Sequence, residues 1–189
     1  MVTIEHKQAK RCEKYFINAL LELMRKKPFQ EITIKELSSH AEYDRKTFYR
    51  HFSCKEDILK IYCSYILDEM AVLQTKMGSL TFRSGILSYY VFWEKHIDFL
   101  FLLEKNNLLY FLGEHQDNLI YDNVGKKVQP EIPDSIDIAS DFSKYSVYFM
   151  YGGLWRVLIY WIKEPQRKTP EEITDFILEL FNSSRDFMS

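Results

Sequence analysis

ITIKELSSHAEYDRKTFYRHFSCKEDIL, the stretch from Ile32 to Leu59, contains three helix-start signals in close succession. Thr33 and Ser53 are each followed three residues later by a glutamate, which is the pattern of a capping box, and Asp44 is a favourable N-cap. Because the three starts lie so close together, the helices between them must be short and must turn sharply against each other. The stretch therefore predicts a helix-turn-helix.

The helix predicted after Asp44 has two chemically different faces. Phe48 and Phe52 are four residues apart and share the inward face. Lys46 and Arg50 have the same spacing on the opposite side. Like charges at this spacing destabilise an isolated helix by roughly 0.2–0.5 kcal/mol, so the arrangement favours a helix that faces phosphates. A solvated cationic face on an ordinary short helix is the alternative that the pattern alone leaves open.

The distribution of charge along the chain agrees with a local site for a polyanion. Residues 1–60 carry 13 Lys and Arg against 9 Asp and Glu, whereas residues 61–189 carry 12 against 18. In helix-turn-helix proteins the start of the second helix of the motif reaches base edges in the major groove, where Arg or Lys can bind guanine. Free N–H groups at helix N-termini also favour anions. The predicted partner is double-stranded DNA.

The same stretch closely resembles the DNA-binding signature of the tetracycline-repressor (TetR) family. The matching elements are the Thr-led second helix, the pattern Ala-x-x-x-x-x-Thr-Phe-Tyr-x-His-Phe and the Lys-Glu-Asp-Ile-Leu that opens the fourth helix. With the first helix, the resemblance covers about residues 6–60. It implies base-edge contacts by Arg45, Lys46 and Thr47, and phosphate contacts by Thr33, Tyr49, His51 and Lys55. Arg50 joins this DNA-facing set because of its charge and its place opposite the phenylalanines.

One residue departs from the family pattern. The family often has Gly in the turn after Ala41, and this chain has Glu42. The departure puts the geometry of the turn in question and places an anion near DNA. The predicted fold does not depend on it, because other residues can form the turn.

Helical periodicity extends over most of the chain, and the low content of 6 Gly and 5 Pro in 189 residues favours long helices. One clear loop is predicted, NVGKKVQPEIPDS, at residues 123–135. The prediction is an all-α protein with an N-terminal three-helix helix-turn-helix DNA-binding domain at residues 1–53. Residues 54–189 are predicted to form a C-terminal helical regulatory domain that binds a ligand and dimerises.

Two other classes of protein are weighed and set aside at this stage. The apolar stretch from Ser146 to Ile162 is 17 residues long and contains Arg156, so a buried interface helix is favoured over a membrane span. No nucleophile–base pair, HExxH, P-loop or paired-carboxylate motif indicates an enzyme.

The three cysteines are odd in number and form no CxxC pair, which favours a reduced, cytoplasmic location over a disulfide framework. Ordinary packing is the favoured role of these thiols, with a redox sensor as the alternative. No metal site and no cofactor are predicted.

The aromatic-rich segment 82–161 is the predicted location of an effector pocket. Large aromatic side chains with polar tips suit a small apolar or aromatic molecule that must be oriented. The candidate lining residues are Tyr89, Tyr90, Trp93, Tyr148 and Trp155. This pocket rests mostly on the resemblance, and dense core packing is the alternative explanation of the aromatic content.

The last two helices are predicted to form the interface of a C₂ homodimer. Two adjacent glycines permit close backbone approach in the first of them, and the second carries a single apolar stripe. In the TetR family such a pair meets its twofold copy as a four-helix bundle. The predicted interface residues are Gly152, Trp155, Ile159, Ile173, Phe176, Ile177, Leu180 and Phe181. Burial of both helices within one protomer is the alternative.

The sequence thus predicts a homodimeric transcriptional repressor that binds a palindromic operator and is released by a small-molecule effector. The main alternative is a TetR-like regulator or coactivator whose C-terminal domain binds a protein partner. A closed, fully packed aromatic core would favour this second hypothesis.

Overall fold

A computed structural model describes residues 4–76, 81–113 and 141–187, and within these ranges the regular structure is helical. The all-α prediction is confirmed. The helices are α1 (Ile4–Lys26), a 3₁₀ turn (Phe29–Glu31), α2 (Ile34–His40), α3 (Arg45–His51), α4 (Lys55–Lys76), α5 (Phe82–Lys95), α6 (Ile97–Lys105), α7 (Asp141–Trp161) and α8 (Pro170–Phe187). The loop predicted at residues 123–135 lies outside the described residues, as do Gly78 and Ser79.

By its internal contacts the chain divides into two compact units. Unit 1 comprises Met1–Leu67 with Leu102–His115, and unit 2 comprises Asp68–Phe101 with Gln116–Ser189. Helices α1 to α3 lie in unit 1, whereas α5, α7 and α8 lie in unit 2. Helices α4 and α6 contribute residues to both. The predicted functional boundary between residues 53 and 54 stays a prediction, since this division follows contacts and not function.

Unit 1 is built around the ring of Phe16 in α1, which is fully buried. Its centroid lies 5.6 Å from that of Tyr43, 5.5 Å from that of Phe48 and 5.4 Å from that of Phe52. Aromatic pairs at such distances add to the stabilisation from area burial. The inward face predicted for Phe48 and Phe52 is confirmed, and one aromatic cluster joins α1 to α3.

The predicted caps of α2 and α3 are present. The Thr33 hydroxyl accepts a hydrogen bond from the Glu36 N–H at 3.2 Å, and the Asp44 carboxylate accepts one from the Thr47 N–H at 2.6 Å. Each satisfies a backbone donor that a helix start leaves without a partner. The short helices therefore begin where the sequence indicated.

The start of α4 differs from its prediction. The helix begins at Lys55, and the carboxylate that reaches back is that of Asp57, not of Glu56. It accepts the Ser53 N–H at 2.9 Å and the Cys54 N–H at 3.2 Å. Cys54 is the residue before the helix, so the third helical position, where a capping acid is placed best, is occupied by Asp57.

Unit 2 contains the packing of α5 against α8. The capping box predicted at the start of α8 is confirmed, because Thr169 and Glu172 exchange hydrogen bonds of 3.2 and 2.7 Å. Arg83 of α5 forms an ion pair of 2.7 Å with Asp175 of α8. Trp161 of α7 is fully buried. No described helix combines the length and the apolar character that a membrane span requires.

Candidate nucleic-acid interface

Helix α3 presents a cationic surface on a rigid apolar base. Phe48 is fully buried, whereas Arg45, Lys46 and Arg50 are exposed and the Tyr49 ring is 59% exposed. Burial of one side fixes the orientation of this two-turn helix, so the opposite side has a defined direction. The four exposed side chains predicted to face DNA are therefore on the surface together.

The three cations of α3 take part in no ion pair within the described ranges of the chain. Two ion pairs are present elsewhere in unit 1, Lys27 with Glu36 at 2.5 Å and His40 with Glu22 at 2.7 Å. The nearest acid on the same element, Asp44, caps the helix. The pKa of the Asp44 carboxyl is lowered mainly by the hydrogen bond from the Thr47 backbone N–H and by one from the Thr47 side chain. The charges of Arg50 and Lys46 lower it further. Its carboxylate is committed to the helix start.

The remaining hydroxyl and imidazole groups of the predicted DNA-facing set differ in their exposure. Thr33 is exposed at the start of α2, where its hydroxyl accepts a backbone hydrogen bond. Thr47 and His51 are half-buried, and the His51 ring centroid lies 6.1 Å from that of Phe52. A cap hydroxyl can still donate its own hydrogen to an outside acceptor. Each of these residues is compatible with a phosphate contact.

Lys55 is the residue whose geometry argues against its predicted role. Its ammonium donates to the carbonyl oxygens of Phe29, Gln30 and Ile32, at 2.6, 3.1 and 3.0 Å. An ammonium has three N–H donors, and this set uses all three. Burial lowers the pKa of Lys55, with the charge of Glu56 acting in the opposite direction. The side chain thus holds the turn before α2.

The turn between α2 and α3 is a Schellman motif with Glu42 in the left-handed region, at φ 62°. The Tyr43 N–H bonds to the Ser38 carbonyl at 3.0 Å, and the Glu42 N–H to the Ser39 carbonyl at 3.2 Å. These are the two bonds that define the motif, and its left-handed position is usually glycine. The chain keeps the turn geometry that glycine favours, although Glu42 stands where the family often has glycine. The substitution of Glu42 for glycine therefore does not change the type of turn.

The cysteines have the character of packing residues. Cys12 and Cys63 are buried, Cys54 is half-buried, and all three are free. Burial raises the pKa of each thiol, that of Cys63 to about 12. The reactive thiolate form is thereby suppressed. Within the described ranges, no three His, Cys, Asp or Glu side chains come together in a way that could hold a metal ion.

The predicted effector residues do not form one set. Tyr89, Tyr90 and Trp93 are at most 2% exposed and pack in edge-to-face contacts along α5. Trp155 is half-buried, with its ring centroid 6.5 Å from that of Trp93, and Tyr148 is exposed. Burial also raises the pKa of Tyr90. The first three are core residues of unit 2, and residues 114–140, which belong to the predicted pocket segment, lie outside the described ranges.

The predicted dimer surface separates into two groups. Ile173 and Ile177 are 6% and 4% exposed within a single protomer, so they offer no surface to a partner. Phe176, Leu180 and Phe181 remain exposed on α8. On α7, Gly152 is exposed, and Trp155 and Ile159 are half-buried. Part of the single stripe expected of α8 thus packs within the unit, and part of it stays exposed.

Asn106 is a structural residue that the sequence analysis missed. It lies at the end of α6 and is 5% exposed, and its side chain accepts the Phe29 N–H at 2.7 Å. Asn107 follows it at φ 57°. Asparagine is common at the left-handed end of a helix. The pair of asparagines after an apolar helix was a usable signal for the end of α6, although not for the contact with Phe29.

These features define a helix-turn-helix DNA-binding domain of the three-helix type, and comparison with known proteins agrees. Residues 16–60 match the family of bacterial regulatory proteins named tetR. The whole fold is similar to the crystal structure of a TetR transcriptional regulator from Streptococcus agalactiae 2603V. The TM-score is 0.63 at 22% identity, over 94% of this chain and 97% of that one. No curated protein matches the chain.

Residues 16–60 are thus the DNA-binding domain of the tetR family of bacterial regulatory proteins, and the resemblance drawn from the sequence is confirmed. The structural likeness establishes the arrangement of an N-terminal helix-turn-helix domain followed by a C-terminal helical domain.

Proposed function

We propose that the chain is a cytoplasmic, homodimeric transcriptional repressor without enzymatic activity. It binds a palindromic operator through α3 and releases it when a small effector binds the C-terminal domain. Residues 1–53 are the DNA-binding domain and residues 54–189 the regulatory and dimerisation domain in this proposal. The observation that carries it is the row of three exposed cations on α3, which rests on a fixed aromatic base. None of these three cations forms an ion pair with another described residue.

The roles of the DNA-facing residues follow from their position on α3. Arg45, Lys46 and Thr47 lie in its first turn, the part of a recognition helix that reaches base edges. Tyr49 and Arg50 lie further along and are exposed, which suits contacts to phosphate oxygens. Phosphate contacts fix the register and base contacts specify the sequence. Thr33 and His51 flank this surface as further phosphate contacts, and Lys55 supports the turn before α2.

Dimerisation is supported by the exposed face of α7 and α8. Tyr145, Phe149 and Tyr160 of α7 are 75%, 76% and 67% exposed, and they lie on the same side as Gly152. A Cβ built on Gly152 or Gly153 meets no atom within 4 Å among the described residues, so packing inside the protomer does not require glycine there. Exposed apolar patches of this kind mark interaction sites.

The second copy is the favoured occupant of this face because a twofold dimer presents two recognition helices to two half-sites. The interface in this proposal consists of Gly152, Trp155, Ile159, Phe176, Leu180 and Phe181.

The proposed effector acts through the C-terminal domain. In this proposal an apolar or aromatic molecule binds near Trp93 and Trp155, whose ring centroids lie 6.5 Å apart. The tight packing of Tyr89, Tyr90 and Trp93 favours a second candidate function, a regulator or coactivator whose C-terminal domain binds a protein. The exposed aromatic residues of α7 suit such a partner as well. Calorimetric titration of the protein–operator complex with candidate small molecules separates the two functions. Binding of a small molecule accompanied by release of the DNA supports the effector.

The decisive experiment is selection of bound DNA from a random pool, followed by affinity measurements over a range of salt concentrations. We expect an enriched palindrome. Lys46→Ala should weaken binding to it and relax the preference for one base position, by about 1–3 kcal/mol of discrimination. Arg50→Ala should weaken binding to all sequences. It should also reduce the slope of log affinity against log salt concentration by about the amount expected for one phosphate contact.

A lysine of unit 2 provides the matched control. Lys95 is exposed in the last turn of α5, so Lys95→Ala removes the same charge outside the helix-turn-helix. It should leave affinity, base preference and salt slope unchanged. Equal effects of the Lys46 and Lys95 substitutions would show that net charge, and not α3, governs binding. Recovery of no enriched sequence by the wild-type chain would refute the proposal itself.

A further inference from the structure

The turn that leads into α2 is held from two sides by side chains of two different helices. The ammonium of Lys55, at the start of α4, donates to three carbonyl oxygens of this turn. Asn106, at the end of α6, accepts the Phe29 N–H at 2.7 Å. Phe29 itself is 3% exposed. Its backbone donor and its backbone acceptor are therefore both fixed by residues distant in sequence.

The orientation of the Asn106 amide follows from its two partners. Its oxygen receives the Phe29 N–H, and its nitrogen donates to the Leu102 carbonyl at 2.8 Å. Rotation of the amide by half a turn would place donor against donor and acceptor against acceptor. The Asn106 amide thus fits this site in one orientation.

The end of α6 is shaped to place this side chain. The Leu108 N–H bonds to the Leu103 carbonyl at 2.8 Å, and the Asn107 N–H to the Glu104 carbonyl at 3.0 Å. With Asn107 at φ 57°, this is a second Schellman motif, and Asn106 is its C-cap. The cap residue of one helix is thereby the hydrogen-bond acceptor for the turn that starts the helix-turn-helix.

We propose that Asn106 is a positioning residue for DNA binding, because it ties the end of α6 to the turn that orients α2 and α3. The inference rests on the proposed function. Asn106 accepts the Phe29 N–H, and Phe29 begins the 3₁₀ turn that is followed by Thr33, the N-cap of α2. Helix α2 leads through its Schellman turn to α3.

The test compares Asn106→Leu, which keeps the size and removes the amide, with Asn106→Asp, which keeps the acceptor for the Phe29 N–H. Affinity for the selected operator is measured at a temperature at which every variant is folded. We expect about a tenfold loss, equivalent to about 1.4 kcal/mol, for the leucine variant. The aspartate variant keeps the acceptor for the Phe29 N–H and loses the donor to the Leu102 carbonyl, so it should lose less affinity than the leucine variant.

A second readout separates positioning from general loss of stability. Hydrogen exchange of the Phe29 amide should be faster in Asn106→Leu and protected in Asn106→Asp. Ile17→Val is the control, because Ile17 is a buried residue of α1 and its substitution lowers stability without removing a hydrogen bond of this turn. It should change neither the operator affinity nor the exchange of Phe29. If the leucine variant does not fold, Asn106→Ala takes its place with the same expected loss.

The outcomes are distinct. Operator affinity of Asn106→Leu within about twofold of the wild type would overturn the inference while leaving the proposed function intact. Equal losses for Asn106→Leu and Ile17→Val would also overturn it, since stability would then explain both. Failure of the wild-type chain to enrich any sequence would remove the proposed function and this inference together.

Discussion

The helix-turn-helix of unit 1 and the α7–α8 pair of unit 2 differ in where they place their aromatic residues. In the helix-turn-helix the rings of Phe16, Phe48 and Phe52 are buried and the cations of α3 are exposed. On α7 the exposed residues include Tyr145 and Phe149. The first surface suits phosphate oxygens, and the second suits another apolar surface. The same residue types therefore predict different partners, because the backbone decides which of them face outward.

The largest expected effect is on the aromatic base of α3. Phe16→Ala should lower the free energy of unfolding by about 3–5 kcal/mol, because it leaves a cavity among three other rings. Urea denaturation followed by circular dichroism measures the loss. Tyr49→Ala, which removes an exposed ring from α3 itself, should change the stability by less than about 0.5 kcal/mol. Equal losses for the two variants would erase the distinction between the two faces of α3.

The next effect concerns the exposed face of α8. Phe176→Asp combined with Leu180→Asp should weaken dimerisation at least about 100-fold, equivalent to about 2.7 kcal/mol, because carboxylates would be buried at the interface. Light scattering over a range of concentrations measures it. Ile177→Asp serves as the contrast, since Ile177 is core and the substitution should unfold unit 2. A double variant that remains dimeric would place the interface elsewhere.

Two lysines that the family resemblance assigns to DNA contacts should differ in the effects of their substitution. Lys55→Ala should lower the free energy of unfolding by about 2 kcal/mol, since it removes charge-assisted hydrogen bonds to three carbonyls, with the salt slope of DNA binding unchanged. Lys46→Ala should weaken DNA binding with little loss of stability. Thermal denaturation and salt-dependent affinity measure the two properties. A flatter salt slope for Lys55→Ala would instead support the phosphate contact that the resemblance implies for Lys55.

The smallest expected effect is a gain in stability. Glu42→Gly should raise the free energy of unfolding by about 1 kcal/mol, because glycine adopts a positive φ without steric cost. Glu42→Ala is the control, because alanine removes the charge and keeps the Cβ that opposes this conformation. Thermal denaturation of both variants distinguishes backbone strain from charge. A gain for alanine as large as that for glycine would assign the effect to the carboxylate.

Local signals in the sequence were sufficient for the helix-turn-helix. Thr33 and Asp44 cap their helices through hydrogen bonds that span three residues, and Phe48 and Phe52 share a face through the helical repeat. Interactions between residues three or four apart depend on residue type and spacing alone, so they can be predicted before the fold is known. The same holds for the capping box at Thr169.

The prediction of which apolar residues face a partner was only partly right, and the reason is physical. The apolar stripe of α8 shows which residues avoid water, but not whether the protomer or a second copy covers them. The packing of α5 against α8 decides that Ile177 is core and leaves Phe176 exposed.

The sequence by itself determined the helices of the helix-turn-helix, their caps and the cationic face of α3, because each arises from contacts within a few residues. Only the tertiary structure decided the role of Lys55, whose partners lie 23 to 26 residues away, and that of Asn106, whose partner lies 77 residues away. A hydrogen bond between distant residues depends on where the chain brings its donor and acceptor. That placement is a property of the whole fold and leaves no pattern in residue spacing.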